Sequence, residues 1–259
     1  MHLPNNKKVY FASDQHFGLP NHQESLVREK RFVQWLDTIK KDAEVLFLLG
    51  DLFDFWFEYR KVVPKGFVRV LGKLAELKDL NIQIHFFVGN HDLWMYNYFE
   101  EELNISVYHH PKVFTIHNKK FLIGHGDGLG PGDKGYKRMK KVFTNPISKW
   151  LYRWLHPDIG MWLGTYLSTK NKMISGKEDV VFLGEDMEWL VHYCKRKLEQ
   201  EHYDYFVFGH RHLPLEIKLK DNSKYINLGD WISHFTYGVF NGEKLVLDNY
   251  KPISHSTNP

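Results

Sequence analysis

Short apolar runs rich in β-branched and aromatic residues recur through the first half of the chain, interleaved with stretches whose apolar positions fall at helical spacing. VYFAS (9–13), VLFLLG (45–50) and IQIHFFVG (82–89) read as buried strands, and 23–40, 65–79 and 93–103 read as helices. The second half predicts strands near 113–117 and 120–124, a helix near 179–200, a strand ending in YFVFGH (205–210) and further strands to residue 249. This order fits an α/β fold with helices on both faces of two packed sheets, rather than one open doubly wound sheet.

Residues 131–177 break the rhythm. Asn145 and Pro146 suit an N-cap and first helical position, after which Ile147, Trp150, Leu151, Trp154 and Leu155 recur at helical spacing until Pro157. Lys149 and Arg153 stand off that stripe. Such a stripe serves either as core or as a membrane contact. Charge tips the balance toward the second: residues 134–177 hold ten Lys or Arg and one acid, Asp158, in a chain of net +4, so the remainder is mildly acidic.

At 259 residues the chain has room for one large domain with an inserted subdomain. The expected division is a core of 1–130 and 178–259 and a basic, Trp-rich helical lid of 131–177. The single cysteine, Cys194, excludes an internal disulfide, suits a reducing compartment and is expected in the core. With no secretory leader or apolar run long enough to span a bilayer, the chain reads as cytosolic and non-spanning.

Chemistry concentrates where apolar strands end: SDQH (13–16), GDLFD (50–54), GNHD (89–92), GHGD (124–127) and GHRH (209–212). Strand ends in α/β folds converge on one crevice, so side chains distant in sequence meet there. Asp14, His16, Asp51, Asn90, His125, His210 and His212 supply carboxylate, imidazole and amide donors. That mixture suits manganese, zinc or iron at two adjacent sites, with one carboxylate bridging, rather than calcium or a thiolate-bound zinc. In Asp14-x-His16 and His210-x-His212, alternate residues of an extended chain point the same way. Two such ions about 3.5 to 4 Å apart clamp phosphoryl oxygens, which makes phosphoester or phosphoanhydride hydrolysis the natural reaction. Any one of these segments alone is an ordinary turn; their joint occurrence carries the reading. His85, His109, His110, His117 and His192 fit no such pattern.

The five segments match the signature D-x-H, G-D-x-x-D, G-N-H-D/E, G-H, G-H-x-H, and the chain resembles the calcineurin-like metallophosphoesterases from Asp14 to His212. The resemblance implies a four-layer α/β/β/α sandwich. It sets Asp14, His16, Asp51 and His212 around one metal and Asp51, Asn90, His125 and His210 around the other. His91, oriented by Asp92, would act on the phosphate, and Asp54 would support the site without ligating.

GDLFDFW, HGDGLGPGDKGY and the helical insertion after them further resemble the UDP-2,3-diacylglucosamine pyrophosphohydrolases of lipid A biosynthesis. That resemblance implies hydrolysis of a diacylated UDP-sugar to UMP and 2,3-diacylglucosamine 1-phosphate, with two divalent ions, manganese being usual. It also implies peripheral association with the cytoplasmic face of the inner membrane of a Gram-negative-type bacterium. Asp133 and Tyr136, and Ser168, Asn171 and Lys172 of YLSTKNK, are the substrate-binding candidates it suggests. Proteobacterial members have Gly-Asn-Arg-Asp where this chain has Gly89-Asn90-His91-Asp92. The rival readings are a calcineurin-like hydrolase of nucleotides or phosphodiesters and a non-catalytic scaffold on the same fold. Retention of all seven ligands opposes the scaffold, and Trp and Leu at core-like spacing favour lipid over nucleic acid.

Overall fold

Alternation along each strand divides its side chains between two layers, and the hydrophobic clusters follow that division. In β1 (Lys8–Ala12), Val9 and Phe11 face one layer while Tyr10 and Ala12 face the other. β2 (Ala43–Leu48) repeats this, with Val45 and Phe47 opposite Leu46 and Leu48. The computed structural model describes residues 1–130, 134–175, 181–182 and 184–252, with the backbone alone for residues 134 and 169–175.

β1, β2, β3 (Gln83–Phe87) and β4 (Ser106–Tyr108) pair in parallel, and β10 (Thr236–Phe240) and β11 (Leu245–Asn249) extend them antiparallel, giving the order β11-β10-β1-β2-β3-β4. The second sheet has the order β5-β6-β7-β9-β8. In it β6 (Lys119–Ile123), β7 (Tyr205–Phe208) and β9 (Lys224–Leu228) are parallel, flanked by antiparallel β5 (Lys112–Ile116) and β8 (Pro214–Lys218). Phe11, Phe47, Phe121, Ile123, Val207 and Ile226 fill the layer between the sheets. Full burial of each such phenyl ring contributes about 1.5–3 kcal/mol.

Helices cover both outer faces, as the four-layer expectation requires. α1 (His22–Ile39) and α2 (Val68–Asp79) lie on the first sheet through Phe32, Trp35, Val70 and Leu74. α7 (Trp189–Leu198) lies on the second through Leu190, Val191 and Cys194, so the lone thiol is a core residue. Asn21 caps α1 by accepting the Glu24 amide at 3.0 Å. α3 (Tyr98–Leu103) starts later than its sequence pattern predicts. The buried Glu58 carboxylate accepts the amides of Tyr96, Asn97 and Tyr98 and fixes the preceding turn instead.

Between β6 and α7 the chain forms α4 (Lys134–Thr144), α5 (Pro146–Tyr152) and α6 (Pro157–Ser175). Asn145 caps α5 through the Ile147 amide at 2.8 Å, with Pro146 in the first turn; α5 ends at Tyr152, earlier than its sequence pattern predicts, and Pro157 opens α6 instead. The apolar stripe is not core: Ile147, Trp150, Leu151 and Trp154 are 68%, 56%, 57% and 75% exposed. The inward contacts are aromatic. Tyr152 packs on Phe57 and Trp94 at 4.7 and 4.5 Å between centroids, and the Trp94 indole donates to the Phe143 carbonyl at 2.7 Å. Among the described residues, no helix is long and apolar enough to cross a membrane.

Candidate metal centre

Six parallel-sheet strands, β1, β2, β3, β6, β7 and β9, each deliver a polar segment just beyond their carboxyl ends. These bring Asp14 and His16, Asp51, Asn90 with His91 and Asp92, His125, His210 with His212, and Asp230 into one neighbourhood. The close approach demands glycine at two turns. A Cβ on Gly209 would meet Ser13 and the Asp14 carboxylate, and one on Gly89 would meet Asp51. Asp14, His16, Asp51, His210 and His212 have φ between 46 and 70°, a region costly for residues with a side chain. Five of the seven expected ligands therefore carry backbone strain, the kind held in place at functional sites by their surroundings.

Hydrogen bonds fix which atoms face the centre. Asp51 Oδ1 accepts the His91 amide at 2.8 Å, leaving Oδ2 at 3.6 Å from His16 Nε2 and 3.4 Å from His125 Nε2. One carboxylate oxygen thus lies between two imidazoles, the position a bridge requires. Asp14 Oδ2 accepts the His210 amide at 2.9 Å, while the buried Oδ1 has no hydrogen bond and lies 3.4 Å from His212 Nε2. Asn90 Oδ1 stands 3.1 Å from His125 Nε2 and 2.8 Å from His210 Nδ1.

The outer ring nitrogens explain why these contacts call for a cation. His125 Nδ1 donates to the Leu49 carbonyl at 2.6 Å, so its Nε2 presents a lone pair to two oxygen acceptors. His16 Nδ1 faces Asp54 Oδ1 at 3.2 Å and His212 Nδ1 faces Asp230 Oδ2 at 3.6 Å. With a hydrogen on each Nδ1, both Nε2 atoms would present lone pairs to each other at 3.2 Å. Lone pair against lone pair at that distance is repulsive unless positive charge lies between. Donors each about 2.0–2.2 Å from a common ion are separated by about 3 Å, so the spacing and the N/O donor set fit divalent metals. His16, Asp51 and a ring nitrogen of His91 also lie within 4.8 Å of one another.

The electrostatics agree. Burial opposes charging of His125, yet the Asp51 carboxylate against it, with Asp14 and Asp127 beyond, pushes the imidazole up to about 10. Burial likewise opposes the Asp51 charge, and His125, His91 and His16 nevertheless hold its carboxyl well below the usual range. A site that favours a proton this strongly favours a divalent ion that displaces it.

Supporting residues depart from expectation in one respect. Asp92 does not orient His91: it accepts the Gly89 amide at 2.6 Å and the Leu52 amide at 3.0 Å, pinning the two ligand loops together. Burial, then the neighbouring Asp51 charge, pushes its carboxyl up to about 7. His91 is held instead by the Asp54 carbonyl at 3.0 Å and by Ser168 Oγ at 2.8 Å, both at Nδ1. Asp54 therefore serves His16 and His91 together, in the supporting role expected of it.

Asp230 was not among the sequence candidates, although Gly229-Asp230 follows β9 in the same glycine-acid pattern as Gly50-Asp51. Burial opposes its charge, but the His212 ring and the amides of Ser233 and His234 hold its carboxyl far below the usual range. Arg211 forms the expected structural ion pair, 3.2 Å from Glu188. Tyr136 donates to Asp127, which Lys140 also contacts at 2.5 Å. Asp133 lies outside the described residues, as do the side chains of Asn171 and Lys172. His85, His109, His110, His117 and His192 belong to none of the metal-competent groups among the described residues.

Comparison with known proteins agrees with this geometry. The calcineurin-like phosphoesterase family profile matches residues 7–214. A UDP-2,3-diacylglucosamine hydrolase of Porphyromonas gingivalis is 37% identical, with 95% of this chain and 98% of that protein covered. Proteins of the same name from Shewanella putrefaciens and Pseudomonas fluorescens are 27% and 28% identical, covering 86% and 78% of this chain and 89% and 80% of their own. With the match running through every segment of a divalent-metal centre, the chain belongs to the calcineurin-like phosphoesterase family.

Proposed function

We propose that this protein hydrolyses the diphosphate of UDP-2,3-diacylglucosamine, giving UMP and 2,3-diacylglucosamine 1-phosphate in lipid A biosynthesis. The observation that carries the reading is the end-to-end match to the Porphyromonas gingivalis hydrolase, together with a complete donor set at the strand ends. Asp14, His16, Asp51 and His212 would hold one divalent ion, and Asp51, Asn90, His125 and His210 the other, manganese being the ion we assign, ahead of zinc or iron. When bound, such a pair activates water and neutralises charge developing on the phosphoryl oxygens.

The chain's own residues supply the rest. His91 donates a hydrogen bond or proton to the phosphoryl group as water attacks the phosphorus next to uridine. Asp54 fixes His16 and His91, and Asp92 keeps the loops of Asp51 and Asn90 in register. Residues 131–177 act as a lid over the core. Their basic side chains meet phosphates and an anionic bilayer, and the exposed Trp150 on α5, Trp154 in the turn after it and Trp162 on α6 meet acyl chains or the membrane interface. We place the protein at the cytoplasmic face of the inner membrane, bound peripherally and without a nucleic-acid partner. Asp133, Tyr136, Asn171 and Lys172 are assigned to the sugar-phosphate end of the substrate. Ser168, whose hydroxyl is engaged by Asp54 and His91, has a different part.

The test is UMP release with manganese, comparing the diacylated UDP-sugar with the same UDP-sugar lacking acyl chains. Each buried methylene is worth about 0.8 kcal/mol, so burial of about four or more raises kcat/KM for the acylated substrate by more than about 100-fold. Equal turnover of both, or none of the acylated one, removes the lipid assignment and leaves a phosphoesterase of another specificity.

A further inference from the structure

α6 lies on the segment after Asp51 by a single face. Gly160, Gly164 and Ser168 follow one another at intervals of four, so they share one side of the helix. A Cβ on Gly160 would collide with the Tyr59 hydroxyl, and one on Gly164 with the Phe55 ring. The two glycines thus allow α6 to sit directly on residues 55–59. One turn further along the same face, Ser168 Oγ comes within 3.0 Å of both the carbonyl and the Oδ2 of Asp54, and within 2.8 Å of His91 Nδ1.

The proton count sets the direction of these bonds. The Asp54 carbonyl only accepts, so the 3.0 Å contact requires a hydrogen on His91 Nδ1. Ser168 Oγ accepts from that same N–H while its own hydrogen goes to Asp54. The ring then carries a hydrogen on Nδ1, and Nε2 is the atom left to face the phosphoryl group, where it donates once it carries the ring's second hydrogen. We propose that Ser168 is a positioning residue for His91: seated by the glycine face of α6, its hydroxyl accepts from Nδ1–H and fixes the orientation of the imidazole. α6 of the helical insertion thereby helps to set the histidine that acts on the phosphate.

This inference rests on the reading that His91 acts on the phosphate, and a double-mutant cycle separates the two. Ser168→Ala is expected to lower kcat for the diacylated UDP-sugar about tenfold with KM unchanged, the loss expected for one hydrogen bond within a charged network. In a His91→Ala background the same substitution changes kcat by less than about twofold, because its effect passes through the imidazole. Ser168→Thr, which keeps the hydroxyl, restores most of the rate. Ring ¹⁵N spectra, assigned by loss of the His91 signals in His91→Ala, are expected to show a hydrogen-bonded Nδ1–H in the parent that is shifted or lost in Ser168→Ala.

A rise in KM from Ser168→Ala that persists in the His91→Ala background would identify Ser168 as a direct substrate contact and overturn the proposal. So would an unchanged kcat together with an unchanged His91 spectrum. If His91→Ala alone leaves kcat intact, the role of His91 at the phosphate fails, and the Ser168 proposal falls with it.

Discussion

His85 stands in the layer between the two sheets, its ring stacked on Phe47 at 4.9 Å and close to Phe114 at 5.3 Å. Nδ1 is 3.1 Å from the Tyr108 hydroxyl, and the buried Nε2 has no hydrogen bond. Burial, helped by the charges of Lys112 and Lys78, pushes the imidazole down from 6.5 to about 4. The folded protein therefore keeps His85 neutral over a range in which the unfolded chain binds a proton. Stability from this residue is complete above 6.5 and is lost as pH falls toward about 4, by about 3 kcal/mol in all. His85→Phe removes the titrating group while keeping a stacked ring. Near neutral pH the variant should lie within about 1 kcal/mol of the parent, because one lost hydrogen bond is offset by removal of a buried unpartnered nitrogen. At about pH 4.5 it should be the more stable of the two by about 2–3 kcal/mol. Urea denaturation followed by tryptophan fluorescence, with chelator present throughout, measures both differences. If the two proteins lose the same stability between about pH 7.5 and about pH 4.5, His85 is not held neutral by its burial and the reasoning fails.

Two substitutions probe the centre from outside its ligands. Asp230→Ala leaves His212 Nδ1 without its carboxylate and is expected to weaken metal binding by about 10- to 100-fold, read by competitive chelator titration; unchanged affinity would remove Asp230 from the site's support. Gly209→Ala drives a methyl group into Ser13 and the Asp14 carboxylate, and should cost about 1–3 kcal/mol in denaturant unfolding while reducing metal occupancy; a neutral result would mean the strand ends are not as tightly apposed as they stand.

The sequence exposed the strands and ligands well because both depend on local pattern. Val9 to Ala12 and Val45 to Leu48 alternate between two apolar layers, so they read as buried strands, and each ligand segment follows such a run. α5 was visible from its cap and stripe, Asn145 and Pro146 with Trp150 and Trp154, but the stripe alone did not fix which way it faces. The supporting contacts were hidden because they cross long stretches of chain. Ser168 reaches His91 from 77 residues away, and Asp54 reaches His16 from 38. The expected pairing of Asp92 with His91 failed for a related reason: neighbours in sequence point apart, and the Gly89 and Leu52 amides claim the Asp92 carboxylate. Asp230 was missed although its Gly-Asp pattern after a strand was legible, since one such pair alone reads as an ordinary turn.

We propose that Asp51 would be the carboxylate common to two metal ions at the ends of the parallel strands. Metal content after equilibrium dialysis against manganese tests it most directly, with the intact chain and Asp51→Asn compared by elemental analysis. The account expects two ions per parent chain and loss of both from the variant to below about one in sum, since neither site keeps its shared anionic ligand. A parent chain that binds a single ion, or a variant that retains both with unchanged affinity, would contradict it.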